Sequence, residues 1–151
     1  MSTIGFDTSN YTTSTAWTDG KTDINVRQIL YVKDGERGIR QSDGVFQHMK
    51  LMPVMYEKLS EQIDFKDVKA VGVSTRPRCV EGSYMPVFLA GEGYAKVVAN
   101  TLGVPLYEFS HQDGHIMAGI YSSGSFELLE NDFISVHLSG GTTEILKSRY
   151  N

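Results

Sequence analysis

The 151-residue sequence holds a single cysteine, Cys79. That excludes an internal disulfide and any metal cluster built on several thiolates, and it fits a reducing compartment. A basic excess is missing too: 14 Lys and Arg stand against 18 Asp and Glu, a formal net charge of -4. A protein that grips nucleic acid by itself neutralises phosphates with a surplus of cations, so any such role is expected to run through a partner. No stretch comes near the ~18 apolar residues of a membrane span, and the N-terminus opens on a strand pattern rather than a charged and then apolar leader. We therefore expect a cytoplasmic protein with no membrane partner. The remaining composition is ordinary, 40% hydrophobic and 21% charged, at the size of one compact domain.

Thr3 to Asp7 reads as a short strand, Thr12 to Trp17 as a second, and Ile24 to Val32 as a third after the Asp19-Gly20 turn. Tight turns between them predict an antiparallel meander. From Val45 the period changes: Val45, Met49, Met52, Tyr56, Leu59 and Ile63 recur at helical spacing and predict one buried face, with a kink or fresh start at Pro53. Ala70 to Ser74 has no alternation, which predicts a strand covered on both faces in a parallel sheet. Ser83 can cap a helix running to Leu102 and closed by Gly103. Leu106 to Phe109 is a further strand, and Ser110 with Asp113 predicts a helix start continuing to about Tyr121. Ile134, Val136 and Leu138 form a strand that turns at Gly140-Gly141 into Thr142 to Leu146.

Three antiparallel strands followed by helix, strand, helix, strand and helix match an RNase H-like (actin-like ATPase) lobe, an α/β mixed sheet flanked by helices, better than a doubly wound nucleotide fold. The expected division is 1–130 as this lobe and 131–151 as a hairpin opening a second one. Such a hairpin leaves strand edges without partners, so the chain is expected to be a fragment or shortened relative of a two-lobed protein.

Four segments could carry chemistry. His111 and His115 lie four residues apart on a predicted helix, so both imidazoles project from one face and can reach one metal ion; two histidines on a helix can also be incidental. Ser139-Gly140-Gly141-Thr142-Thr143 offers backbone N–H groups and hydroxyls to a phosphate or carboxylate, yet a glycine pair is also what any hairpin turn selects. Asp7-Thr8-Ser9 and the polar residues after them suit a phosphate or hydrated metal, or are simply a polar turn. Arg76-Pro77-Arg78 follows the buried strand where open α/β sheets gather ligand loops; its arginines either meet an anion or are solvated loop charges. Cys79 has no activating base beside it and reads as an incidental thiol.

Taken jointly, Ile4-Gly5-Phe6-Asp7-Thr8-Ser9, Ser110-His111-Gln112-Asp113-Gly114-His115-Ile116 and Leu138-Ser139-Gly140-Gly141-Thr142-Thr143 resemble the TsaD family of tRNA threonylcarbamoyladenosine synthases, formerly labelled O-sialoglycoprotein endopeptidases or glycoproteases. The resemblance runs along the whole chain and over about the first half of a typical member. It implies a divalent metal, iron or zinc, on His111 and His115. It also implies an adenine nucleotide, an adenylate-type small molecule, at His137, Leu138, Ser139, Gly140 and Gly141, with transfer of a threonylcarbamoyl group to a tRNA adenosine. The chain departs from the family pattern in several places. The family's third metal ligand is an aspartate in the second lobe. Thr142 stands where a histidine usually follows the glycine pair. Thr75-Arg76-Pro77-Arg78 replaces a Gly-Pro-Gly loop, and Gln41 to Gln47 replaces a Pro-Glu-Leu-Ala-Ser-Arg segment ahead of His48. A divergent paralogue is the expectation.

A second expectation, from a different class, is a non-catalytic scaffold that binds a protein partner or a second copy through the N-terminal lobe and meets tRNA only indirectly. A third, a metalloprotease, lacks its general base, because Gln112 stands where the zincin motif places glutamate.

Overall fold

A computed structural model describes residues 1–138 and 143–150. The chain divides into two compact units, Met1–His111 and Gln112–Asn151, and each is described by itself.

The first unit is built on a five-stranded sheet. Strands β1 (Ser2–Asp7), β2 (Thr12–Thr18) and β3 (Asp23–Ile29) form the expected antiparallel meander; β4 (Val68–Arg76) and β5 (Leu106–Ser110) extend it in the order β3-β2-β1-β4-β5. β1 pairs in parallel with β4, and β4 with β5, so three strand C-termini share one rim of the sheet. Val71 and Val73 on one face of β4 and Ala70 and Ser74 on the other are all buried, as expected for a strand covered on both sides. Helices α1 (Gln41–Ser60) and α2 (Phe88–Leu102) touch each other; α1 lies against β2 and β3, and α2 against β1 and β4. Ile4 and Phe6 of β1, Met52 and Leu59 of α1, Val68, Val71 and Val73 of β4, and Ala95 and Ala99 of α2 form the hydrophobic core.

Four details correct the sequence reading. The third strand ends at Ile29 rather than Val32, because the side-chain amide of Gln47 takes over the backbone of Tyr31. It accepts from the Tyr31 N–H (2.8 Å) and donates to its carbonyl (2.9 Å). The buried face of α1 is Gly44, His48, Met52, Met55 and Leu59, about one residue round from the predicted stripe, and Met49 is 48% exposed. That rotation puts Gly44 against α2, where a Cβ would stand 2.8 Å from Val87 Cγ1, and puts the His48 ring in the interior. No fresh start occurs at Pro53; α1 runs through it as one element of 20 residues. Finally, α2 begins at Phe88 and not at Ser83, because Pro86 disfavours helical geometry at the residue before it. Ser83 Oγ instead accepts from the Arg78 N–H at 3.0 Å. The helix ends as expected, on Gly103 in the left-handed region (φ 66).

In the second unit, α3 (His111–Ser123) starts on the last residue of the first unit, and β6 (Phe133–Leu138) pairs antiparallel with β7 (Thr143–Ser148). Ile134, Val136 and Leu138 alternate as predicted, with Ile145 across from Val136, and all four are exposed. The expected turn at Gly140-Gly141 lies outside the described residues. Among the described residues no helix is long and apolar enough to cross a membrane.

Candidate functional site

The rim where β1, β4 and β5 end collects Asp7, Ser74, Arg76, Ser110 and His111. Ligand-binding loops gather at such C-terminal strand ends because the side chains leaving the sheet there are not spent on packing. Asp7 Oδ1 accepts the Ser9 N–H at 2.7 Å, which closes a tight turn after β1. Its other oxygen, Oδ2, lies 2.8 Å from His111 Nδ1. Burial pushes the Asp7 carboxyl up, but hydrogen bonding and charge from His111, with hydrogen bonds from Ser74 and Ser9, outweigh it and hold the group down at about 2. Asp7 is therefore an anion at neutral pH, and an anion can only accept. His111 Nδ1 must carry the proton, and in the neutral ring the lone pair then sits on Nε2.

Thr8, wholly buried, is spent inside the fold. Its hydroxyl donates to the Val87 carbonyl (2.8 Å) and accepts from the Gly91 N–H (3.0 Å), so it stands in the first turn of α2 and ties β1 to that helix. The approach is close: a Cβ on Gly91 would fall 2.8 Å from Thr8 Oγ1.

His115 shares α3 with His111, one helical turn on. In the second unit its ring stacks on that of His137 with centroids 5.5 Å apart. Two residues that the sequence reading had not placed in a site join this group. Gln112 Nε2 donates to Glu144 Oε2 at 2.6 Å and stands 3.4 Å from His137 Nδ1, which is itself 3.7 Å from Glu144. The clue to Gln112 was its place between two histidines on one helix; Glu144 had no local signal. Leu138 is exposed at the end of β6, and Ser139, Gly140 and Gly141 lie outside the described residues. Among the described residues, no three His, Cys, Asp or Glu side chains converge as a metal-holding group.

The meander with parallel strands added beside β1 and helices packed on it defines an RNase H-like lobe of the actin-like ATPase class. A solved structure titled "YeaZ from Pseudomonas aeruginosa" superposes over 98% of this chain and 65% of its own, with a TM-score of 0.55 and 13% identity, a likeness of fold alone. The family model described as TsaD, tRNA N6-adenosine threonylcarbamoyltransferase, matches residues 35–151, and the chain belongs to that family. Curated relatives carrying that name include one from Pyrobaculum calidifontis, 28% identical over 144 residues, and one from Christiangramia forsetii, 33% identical over 98 residues. The matches cover 94% and 64% of this chain but only 40% and 27% of those relatives.

Proposed function

We propose that the chain is part of a threonylcarbamoyl-transferring protein in which α3 presents His111 and His115 to a divalent metal. The observation that supports this reading is the Asp7–His111 hydrogen bond. A carboxylate on Nδ1 fixes the ring tautomer and leaves Nε2 as the ligating nitrogen, the arrangement that outer-shell carboxylates give to metal-bound imidazoles. The donor set thus fits a divalent metal as two of its ligands. When bound, such an ion would polarise an acyl-adenylate and template it. Asp7 acts as a positioning residue. His137, Leu138, Ser139, Gly140 and Gly141, with Asp7, Thr8 and Ser9, are the residues proposed for the adenylate. Thr8 acts there through the backbone it anchors. Replacing His111 or His115 by Ala is expected to remove bound divalent metal, read by elemental analysis of the purified protein; metal content equal to the parent would overturn the proposal.

A second reading, a non-catalytic scaffold, is supported by the two outer strands of the sheet, β3 and β5. It predicts a chain that binds neither metal nor adenine nucleotide and yet forms a defined complex, with a second copy or a protein partner, in analytical ultracentrifugation.

A further inference from the structure

We propose that Arg76 forms an oxyanion subsite at the C-terminal end of β4, beside Ser110 and His111. Three observations converge on it. First, β4 is irregular between Ser74 and Arg76: the register against β5 slips there, so that Arg76 rather than Thr75 lies across from Ser110. Bulges of this kind re-aim a side chain, and they concentrate beside sites. Pro77 then holds the Arg76 backbone extended.

Second, the guanidinium has no counterion among the described residues. Arg76 is partly buried, and its hydrogen bonds there go from Nη1 to Thr75 Oγ1 (3.2 Å) and from Nη2 to Cys79 Sγ (3.9 Å), a hydroxyl and a thiol. A guanidinium carries five N–H donors and is always charged. Shielding such a group from water without a carboxylate is unfavourable unless an anion completes it. In a chain with net charge -4 and 18 acidic side chains, a partly covered arginine left without one is a specific arrangement.

Third, the acid on the same rim is already committed. Asp7 accepts from His111 and Ser9, and among the described residues it forms no ion pair with Arg76. The remaining donors of Arg76 have no protein acceptor among the described residues. The forked geometry selects a phosphoryl or carboxylate group. Of the two, a phosphoryl ester is the ligand that the proposed function supplies; the subsite rests on that reading for the identity of its ligand alone.

The test is a titration of the full chain with AMP, inorganic phosphate, threonine and adenosine. Binding is followed by amide and arginine Nε–H chemical shifts in the parent, Arg76→Gln and Arg76→Lys proteins, with thermal melts confirming that each variant is folded. AMP and phosphate are expected to shift the Arg76 Nε–H resonance. AMP affinity should fall at least about tenfold in Arg76→Gln and recover in part in Arg76→Lys. Adenosine, lacking the phosphate, should be indifferent to the substitution. Threonine shifting Arg76 in place of phosphate would assign the subsite to a carboxylate. Equal AMP affinity in parent and Arg76→Gln, or no response of Arg76 to any of the anions, overturns the subsite. Loss of metal from His111→Ala with AMP binding intact supports the subsite separately. Absence of metal from the parent protein, with AMP still dependent on Arg76, overturns the metal reading and leaves the subsite standing.

Discussion

Asp7 and His111 are 104 residues apart in sequence, and their side chains meet at 2.8 Å at the end of two strands that flank β4. The bond decides which imidazole nitrogen holds the proton. Removing the carboxylate by Asp7→Ala should therefore lower the affinity for a divalent metal by about 10- to 100-fold. Asp7→Asn should lose less, since its amide oxygen can still accept from Nδ1. Competition titration against a chromogenic chelator measures both, and an unchanged affinity in Asp7→Ala would remove the tautomer argument.

Tyr94 and Pro53 form a second linked pair. Proline has no N–H, so the Met49 carbonyl, four residues earlier in α1, loses its helical donor; the Tyr94 hydroxyl supplies one from α2 at 2.9 Å. Tyr94→Phe is expected to cost about 0.5–1.5 kcal/mol in urea unfolding. In a Pro53→Ala background the helix regains a backbone N–H that can donate to the Met49 carbonyl, and most of that cost should vanish. Additive effects in the double-mutant cycle would count against the compensation.

The pair also shows what the sequence made legible. Local signals announced each α-helix and strand, apolar spacing for α1 and capping residues for α2 and α3, because such signals are read between neighbours in sequence. Pro53 predicted an interruption on equally sound local grounds, yet the remedy for its missing bond lies far along the chain in Tyr94, where no local rule reaches. The same limit governs the site. His111 and His115 were visible as a spacing, and Asp7 as an acid at a strand end. Their connection needed the parallel pairing that brings β1 and β5 to one rim, and Glu144 became visible only through its bond to Gln112. The rotated face of α1 is of this kind too: the predicted stripe counted only apolar residues, and the interior position went to Gly44 and His48, which hydrophobicity does not flag.

Thr8 offers a sharp stability test. Its hydroxyl both donates to Val87 and receives from Gly91 in a fully buried setting. Thr8→Val keeps the volume but leaves the Gly91 N–H without its acceptor, at a cost of about 1–3 kcal/mol, while the Val87 carbonyl keeps the Ala90 N–H at 3.4 Å. Thr8→Ser retains the oxygen and should cost clearly less. Gly91→Ala pushes a methyl group into the same oxygen, and the resulting overpacking, about 1–3 kcal/mol, should exceed the roughly 1 kcal/mol that alanine gains over glycine in a helix. Chemical denaturation of the three variants gives the order. A stable Gly91→Ala protein would mean that Thr8 can move away without loss.

His48 sets the acid limit of the fold. Its ring is wholly buried between α1 and β2, with Nδ1 2.7 Å from Thr13 Oγ1 and Nε2 buried without a partner among the described residues. Burial pushes its pKa down from 6.5 to about 4, against an upward pull from the Asp7 charge. The folded state therefore holds His48 neutral while the unfolded chain takes up a proton below pH 6.5. Stability is complete above that value, falls as the pH drops toward 4, and levels off below it, a loss on the order of 3 kcal/mol from this group. Asp7 titrates in a separate, lower window, its stabilisation being lost between its ordinary value of 3.8 and about 2. Urea midpoints measured from about pH 8 to pH 4 should decline in the parent protein. They should stay nearly flat down to about pH 5 in His48→Gln, which keeps a polar atom for Thr13 and carries no titratable ring. A parent protein equally stable at about pH 7 and pH 4.5 would show that the ring takes up a proton as readily in the folded state as in the unfolded one, and the buried Thr13–His48 bond would then not describe the molecule in solution.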